Sequence, residues 1–292
     1  MRIERILLIG KYGQVGWELR RTLAPLGHVL AVDLPEFDLA DSAKVKRFVL
    51  ETKPQVIVNA AAYTAVDKAE TEPELAMQIN GVAPGALAEA AKQLDALLVH
   101  YSTDYVYDGT KTNPYVETDK TNPLNTYGRT KLAGDLAVQS TGCKHLIFRV
   151  CWVYSVRGKS FMRTIMRLAR EQETLQIVGD QIGCPTWARL VAEATSLALK
   201  HMFASGNIAD FTGLYHMATV GATSWHGFAE AIVKAMPRTE VKCTKILPIS
   251  TAEYPTPAKR PAYSVLSCRK LANTFGITLP HWAEGLELAL EN

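Results

Sequence analysis

The strongest constraint in this sequence is an alternation, over the first 150 residues, between short apolar runs and longer segments of helical composition. The runs are almost continuously apolar, which is typical of strands covered on both faces, whereas an antiparallel sheet with one solvated face would alternate apolar and polar residues. The alternation therefore predicts a doubly wound parallel sheet with crossover helices. The predicted strands cover residues 5–9, 28–32, 55–59, 97–102 and 145–150, and the predicted helices cover residues 14–26, 43–51, 73–94 and 125–140.

The rhythm changes after residue 150, where the strict alternation of strand and helix ends. We predict an α/β protein with a doubly wound domain over residues 1–150 and a second, smaller α/β lobe over residues 151–292, intertwined with the last elements of the first. The predicted elements of the lobe are helices over 160–171, 188–203 and 225–236, strands over 175–178 and 214–217, a proline-rich stretch over 248–261 and two terminal helices.

Composition excludes several classes of protein. The 292 residues are 48% hydrophobic and 21% charged, which excludes disorder as the main state. The net charge of +3 comes without long runs of one sign, so it is too weak to favour a nucleic acid or a membrane as partner and is compatible with a small anionic ligand. Five scattered cysteines lack C-x-x-C spacing, which predicts neither a zinc site nor a disulfide framework. A secretory cleavage pattern and a membrane-length apolar run are both absent from the sequence, so the expected location is the cytoplasm.

A glycine-rich loop directly follows the first predicted strand and opens the first helix. Gly10, Gly13 and Gly16 form a G-x-x-G-x-x-G run. Such glycines permit a tight turn and a close approach to a pyrophosphate, and the helix N-terminus offers unpaired N–H groups to the anion. A strand-to-helix turn without a ligand is the alternative. Asp33 favours the dinucleotide, because it follows the second predicted strand, where a carboxylate can accept from a ribose 2′-hydroxyl.

The same loop indicates a Rossmann-type dinucleotide site and a choice of cofactor. The G-x-x-G-x-x-G form is typical of the extended short-chain dehydrogenase/reductase group. Asp38 and Leu39 follow Asp33 in the loop that would flank the adenine. Asp33 predicts that NADH is accepted, because a carboxylate repels a 2′-phosphate at short range.

Tyr127 and Lys131 form a Tyr-x-x-x-Lys pair, and this spacing places both side chains on one face of a helix. An ammonium close to the tyrosine would favour the phenolate and lower the pKa of the hydroxyl, and the lysine can also bind a ribose. A solvated surface pair is the alternative. Thr103 lies at the end of the fourth predicted strand, the edge where doubly wound sheets bind ligands, so its hydroxyl is placed to bind a reacting oxygen. An ordinary strand-end cap is the alternative for Thr103.

Six stretches together resemble the dTDP-4-dehydrorhamnose reductase family, and the likeness extends over nearly the whole chain. Its most specific part combines Thr103-Asp104-Tyr105 with the run Tyr-Pro-Thr-Pro-Ala-Lys-Arg-Pro at 254–261. The resemblance implies reduction of the 4-keto group of dTDP-4-dehydro-L-rhamnose by NADPH or NADH, the last step of dTDP-L-rhamnose synthesis. The matching stretches are 10–16, 59–70, 102–109, 127–134, 149–154 and 254–261.

The resemblance also implies roles for individual residues. Thr103 matches the threonine that orients the keto oxygen, Tyr127 the proton donor, and Lys131 the residue that binds the nicotinamide ribose and assists the tyrosine. Asp104 and Trp152 fall where the family contacts the sugar nucleotide, although Trp152 equally fits a core aromatic at a strand end. The positions that match the cofactor pocket are Gly13, Gln14, Val15, Asp33, Asp38, Ala62, Tyr63 and Thr64.

Departures from the family pattern concern the cofactor and a metal. Tyr63 replaces a common histidine, and Tyr12 replaces a small residue in the glycine loop. Some members form a homodimer bridged by carboxylates and Mg²⁺. Glu18 is available for such a site, but Arg189 stands where those members have glutamate, which argues against Mg²⁺ as a bridging cofactor.

Three other functions stay open. A sugar-nucleotide dehydratase would carry glutamate directly after the Thr-Asp pair, where this chain has Tyr105, and a phenol is a poor substitute for a carboxylate. An epimerase uses the same Tyr-x-x-x-Lys pair with a retained NAD. A non-catalytic regulatory subunit is the third possibility, and the presence of Thr103, Tyr127 and Lys131 argues against it.

The stretch 254–261 is predicted to be an ordered loop, because Pro255, Pro257 and Pro261 remove backbone donors and exclude a central strand. An exposed linker is the alternative. A guanidinium binds phosphate oxygens in a bidentate fork, so we predict that this loop covers the sugar nucleotide and that Arg260 contacts its diphosphate.

Overall fold

The structure of this chain is a computed structural model, and it describes residues 3–291. The strands are β1 (Arg5–Ile9), β2 (His28–Val32), β3 (Val56–Asn59), β4 (Leu97–Thr103), β5 (His145–Val150), β6 (Val153–Tyr154), β7 (Thr174–Val178), β8 (Ile182–Gly183), β9 (Thr186–Trp187), β10 (Gly213–Met217), β11 (Thr223–Ser224) and β12 (Lys245–Ile249). The α-helices are α1 (Gln14–Thr22), α2 (Ser42–Thr52), α3 (Pro73–Met77), α4 (Ala83–Gln93), α5 (Thr126–Thr141), α6 (Phe161–Glu171), α7 (Ala188–Ser205), α8 (Trp225–Ala235), α9 (Arg269–Phe275) and α10 (Trp282–Leu290).

Six parallel strands form the central sheet, in the order β10-β5-β4-β3-β1-β2. The strand order reverses between β1 and β3, which confirms the predicted doubly wound fold. The carboxyl ends of the strands at such a reversal leave a crevice that binds ligands. The glycine loop and the end of β4 both lie at this edge.

Two features of the sheet differ from the pattern in the sequence. The sixth strand, β10, comes from residues beyond 150 and pairs with β5. The edge strand β2 is only partly covered, whereas β3 and β4 are buried along their whole length. A nearly continuous apolar run therefore does not guarantee that a strand at the edge of the sheet is covered on both faces.

The sheet separates two hydrophobic layers. Successive β1 residues alternate between them, with Leu8 in the layer of α1 and α7 and Leu7 in the layer of α2, α4 and α5. This two-sided burial is what makes the central runs continuously apolar. Among residues 3–291, none of the helices combines the length and the hydropathy needed to cross a bilayer.

A separate pair of parallel strands lies outside the central sheet. β12 pairs with β7, and α8 packs against both strands and against α6. Pro248 lies inside β12, and this is compatible with a two-stranded sheet because each strand has one free edge. α7 belongs to the first layer instead, since it packs on α1.

The single helix predicted over residues 73–94 contains a π-helical turn, Gln78–Val82, between α3 and α4. The turn brings its backbone against α5: a Cβ built on Gly134 would lie 2.1 Å from the carbonyl oxygen of Asn80. Only glycine permits this contact, which helps to set the position of the helix that carries Tyr127 and Lys131.

We expect Gly134→Ala to lower the free energy of unfolding by about 1–3 kcal/mol, because the added methyl group must displace backbone. Gly85→Ala is the matched control, since a Cβ there meets the Ala137 methyl group at 3.2 Å. Its free energy of unfolding should change by about 1 kcal/mol or less. Urea unfolding of the two variants measures the difference, and equal values would contradict the close backbone contact between Gly134 and Asn80.

Candidate active site

A cavity of 630 Å³ lies at the carboxyl edge of the sheet, between the glycine loop and a short segment that contains Arg157 and Lys159. It brings together residues that are distant in the sequence, with the loop after β1 on one side and α5 on the other. Nine of the predicted site residues line it: Gly10, Gly13, Gln14, Val15, Asp33, Ala62, Thr64, Tyr127 and Lys131.

The glycine loop has the geometry of an anion site. Gly10 has a φ of +89°, and a Cβ there would lie 2.7 Å from the backbone nitrogen of Ala61. Gly16 packs against the loop itself, since its Cβ would lie 1.9 Å from the Gly10 carbonyl oxygen. Helix α1 has no capping side chain and no carboxylate in its first turn. Its first N–H groups are therefore available to a phosphate, and the residues present fit a dinucleotide.

Asp33 lines the cavity and also holds the glycine loop. Its carboxylate accepts hydrogen bonds from the backbone N–H groups of Tyr12 and Leu34, each at 2.9 Å. The same carboxylate retains lone pairs for a ribose hydroxyl, because each oxygen accepts more than one bond.

Four predicted cofactor residues do not line this cavity. Gly16 acts through packing, as described above. Asp38 accepts a hydrogen bond from the backbone N–H of Ala40 at 2.9 Å, and Leu39 is buried in the core beside α2. The Tyr63 hydroxyl donates to Glu72 at 2.7 Å, so this side chain is directed along the edge of the site.

Lys131 is buried, and its ammonium group donates to the Tyr101 carbonyl oxygen at 2.6 Å. Its Nζ also lies 3.4 Å from His100 Nε2. Burial lowers the pKa of Lys131 to about 8. The lysine is therefore held from below by the end of β4.

The pKa of Tyr127 is raised, whereas the sequence predicted that a nearby ammonium would lower it. The pKa of its hydroxyl is raised to about 12, mainly by burial and to a smaller extent by the Asp104 and Asp135 carboxylates, and contact with Thr103 opposes the rise. The expected direction was wrong because the Lys131 ammonium turns to the backbone of β4. Tyr127 consequently keeps its proton at neutral pH, which is the state required of a proton donor.

Thr103 and Asp104 lie behind Tyr127, and both are buried. Thr103 caps the short 3₁₀ turn Asp104–Val106, where its Oγ accepts from the Tyr105 N–H at 3.1 Å. Its hydroxyl donates to Asp104 Oδ1 at 3.1 Å. Burial raises the pKa of Asp104 to about 6.

A buried ion pair under the site escaped the sequence analysis. The Arg149 guanidinium donates twice to one oxygen of Asp135, at 3.1 Å each, and once to the Tyr107 hydroxyl at 2.9 Å. Asp135 follows Lys131 by one helical turn. The signal available in the sequence was an arginine inside the apolar run of β5, which requires a buried partner.

A second cavity, of 460 Å³, is formed by residues between 161 and 260 and is lined by Arg260, Trp225 and Phe161. Trp152 packs on Trp225 as a parallel stack with ring centroids 3.5 Å apart. Trp152 thus supports the wall of this cavity through Trp225.

The proline-rich loop is attached to the first domain at two points. The Arg260 guanidinium donates to Asp67 at 2.8 Å, and Asn125, the N-cap of α5, donates to the Lys259 carbonyl oxygen at 2.7 Å. The loop therefore links the second cavity to the helix that carries Tyr127.

The region around Glu18 and Arg189 holds an ion pair. The Arg189 guanidinium donates to Glu18 at 3.3 Å and to Glu193 at 2.6 Å. Within residues 3–291, no group of three or more His, Cys, Asp or Glu side chains is arranged to hold a metal ion.

The comparisons with known proteins agree on one family. The model of the RmlD substrate binding domain family matches residues 4–292. The chain belongs to this family. A dTDP-4-dehydrorhamnose reductase of Burkholderia thailandensis is 50% identical over 99% of this chain and 98% of its own length. That of Salmonella typhimurium is 46% identical over 98% and 96%.

Solved structures of the family share the fold. A dTDP-4-dehydrorhamnose reductase of Clostridium acetobutylicum has a TM-score of 0.90 at 36% identity, with 98% of each chain covered. The Bacillus anthracis protein, solved in complex with NADP, has a TM-score of 0.88 at 34% identity and covers 100% of this chain and 99% of its own.

We expect Asp135→Ala to lower the free energy of unfolding by about 3–5 kcal/mol, because Arg149 is left buried without its counter-ion. The exposed pair of Arg167 and Glu171 is the control, and Glu171→Ala should change stability by about 1 kcal/mol or less. Denaturant unfolding at neutral pH compares them. Similar losses of stability in both variants would show that the buried pair of Arg149 and Asp135 contributes no more than an exposed pair.

Proposed function

We propose that this chain reduces the 4-keto group of dTDP-4-dehydro-L-rhamnose to dTDP-L-rhamnose with NADPH or NADH. The observation that carries the proposal is the meeting of Tyr127 and Lys131 with the glycine loop in one cavity. The family membership and the names of the relatives support the substrate. The Bacillus anthracis structure in complex with NADP supports the cofactor class.

In this mechanism the reduced nicotinamide, when bound, supplies the hydride. The backbone of the glycine loop and the N-terminus of α1 hold the diphosphate, and Lys131 and Asp33 bind ribose hydroxyls. Tyr127 holds a proton at its hydroxyl and delivers it to the O4 oxygen of the sugar. Thr103, which contacts Tyr127, orients the same oxygen.

The residue that follows Asp104 favours reduction over elimination of water. Tyr105 occupies that place, and burial raises the pKa of its hydroxyl above the usual value of a tyrosine. Removal of water needs a base that is ionised near neutral pH, and this phenol is not.

The positions of the two cavities indicate which part of the chain binds the cofactor and which binds the sugar nucleotide. We assign the cofactor to the doubly wound part, mainly residues 1–150, and the sugar nucleotide to the lobe formed mainly by residues 151–292. The second cavity is largely apolar and aromatic, which suits a nucleoside base, and Arg260 at its wall suits a diphosphate. Trp152 would act from behind this surface through its stack on Trp225, and Asp104 would act beside Thr103.

With this function we propose a nucleotide sugar as the small-molecule partner, a homodimer as the oligomeric state and the cytoplasm as the location. Size-exclusion chromatography with light scattering tests the dimer, and cell fractionation tests the location.

Product analysis tests the proposed reaction. The enzyme is incubated with dTDP-4-dehydro-L-rhamnose, generated in place, and with NADPH or NADH in parallel. We expect dTDP-L-rhamnose and equimolar oxidised cofactor, with NADH accepted. Turnover to an epimer without net cofactor oxidation would indicate an epimerase, and no turnover would indicate a regulatory protein.

We expect Tyr127→Phe to lower kcat by about a hundredfold or more, because the variant lacks the proton that the reaction transfers. Tyr215→Phe is the control, since that hydroxyl donates to the Phe211 carbonyl oxygen away from both cavities. Steady-state kinetics with circular dichroism of both variants makes the comparison. Near-normal turnover by folded Tyr127→Phe would rule out this proton donor.

We expect Arg260→Ala to raise KM for the sugar nucleotide by about tenfold or more and to leave KM for NADH nearly unchanged. The reason is loss of a cation at the wall of the second cavity. Arg260→Lys retains the charge and should recover part of the affinity. An unaltered KM in Arg260→Ala would place the diphosphate elsewhere.

A further inference from the structure

The hydroxyl of Thr103 has one proton, and the structure shows where that proton is directed. Thr103 Oγ donates to Asp104 Oδ1 at 3.1 Å and accepts from the Tyr105 N–H at 3.1 Å. With its proton on Asp104, Thr103 is unable to donate a hydrogen bond to Tyr127 or to a carbonyl oxygen beside Tyr127. The reaction places negative charge at those oxygens, so the direction of this proton matters.

Asp104 is a carboxylate that several groups approach as donors. Besides Thr103, the Cys151 thiol donates to Oδ2 at 3.2 Å, and the Ser264 side chain also hydrogen-bonds the carboxylate. Asp104 is 3% exposed. All of these bonds are those of an ionised, acceptor-only group.

Among residues 3–291, the charged and titratable groups around Asp104 supply no cation in contact with it. Tyr105 follows it in the 3₁₀ turn, Tyr127 faces it from α5, and Cys151 and Cys184 face it from the other side. The Arg260 guanidinium is bound to Asp67 instead. The ionised form of Asp104 is therefore held by neutral donors alone, which makes uptake of a proton accessible.

We propose that Asp104 is a positioning residue that controls the direction of the Thr103 hydroxyl: when Asp104 holds a proton, it donates to Thr103 Oγ and frees the Thr103 proton for Tyr127 and the reacting oxygen. The proton on Asp104 is not consumed. It changes only which way one hydrogen bond runs. This inference rests on the proposed reduction and concerns how Thr103 takes part in it.

The protonation state of Asp104 sets the direction in which kcat changes with pH. Burial raises the pKa of Asp104 to about 6, so the carboxyl is protonated below that value and ionised above it. kcat should fall as pH rises through about 6, toward a lower plateau. Loss of one donor to a developing charge lowers the rate by about a hundredfold to a thousandfold. A separate fall near the pKa of Lys131, about 8, belongs to the lysine.

The test compares kcat between about pH 5 and about pH 8 for the wild type and Asp104→Asn, at saturating dTDP-4-dehydro-L-rhamnose and NADPH. The asparagine amide is a permanent donor to Thr103 Oγ, so the variant should retain the high rate and lose the fall near pH 6. Thr103→Val lacks the hydroxyl and should show the low plateau at every pH. Asp108→Asn is the matched control: that carboxyl has a pKa of about 2, and its replacement should leave the wild-type profile.

A second readout does not depend on turnover. Because the folded state raises the pKa of Asp104 above its unfolded value, the folded protein binds more protons between about pH 4 and about pH 6, and the contribution of Asp104 to stability declines as pH rises through this window. The gain in Tm of Asp104→Asn over the wild type should therefore be larger above this window than below it.

The outcomes separate the two proposals. An inactive wild type would overturn the proposed reduction. An active wild type whose profile equals that of Asp104→Asn would overturn the role of Asp104 alone. Loss of activity at all pH values in folded Asp104→Asn would also overturn it, since the reaction would then require the ionised carboxylate.

Discussion

The site depends on a contact between two pieces of backbone. Gly16, in the first turn of α1, packs against the carbonyl of Gly10, at a distance that admits no side chain. This contact directs the N-terminus of α1 at the crevice where the strand order reverses, and the helix begins there without a capping side chain. Gly134 against Asn80 and Gly128 against Tyr105 repeat the same kind of contact around α5. The dinucleotide loop and the catalytic helix are thus positioned by close backbone packing.

Burial then sets the chemistry of the side chains at this edge. It raises the pKa of Tyr127 and of Asp104 and lowers that of Lys131, because desolvation disfavours whichever form is charged. All three shifts favour the neutral form. A neutral phenol is suited to donate a proton, and a carboxyl group that gains a proton near pH 6 is suited to change the direction of a hydrogen bond.

Contacts between residues far apart in the sequence join the proline-rich loop to this edge. Asp67, between β3 and α3, binds Arg260, and the N-cap of α5 binds the backbone of Lys259. These contacts connect the loop at the second cavity to the helix that carries Tyr127. The sheet itself crosses the boundary, since β10 comes from the second half of the chain.

Local pattern in the sequence determined the strands, most helices, the glycine loop and the Tyr-x-x-x-Lys pair, because strand period, helix period and glycine requirements act over a few residues. It also indicated the end of β4 as the place of Thr103. Tertiary structure alone decided that Leu39 belongs to the core, that Lys131 turns to the Tyr101 carbonyl, that Arg149 pairs with Asp135, and that Thr103 directs its proton to Asp104. Each of these depends on which side chains are buried together and on which donors remain to satisfy them. Spacing along the chain carries no information about the environment in which a charge is placed.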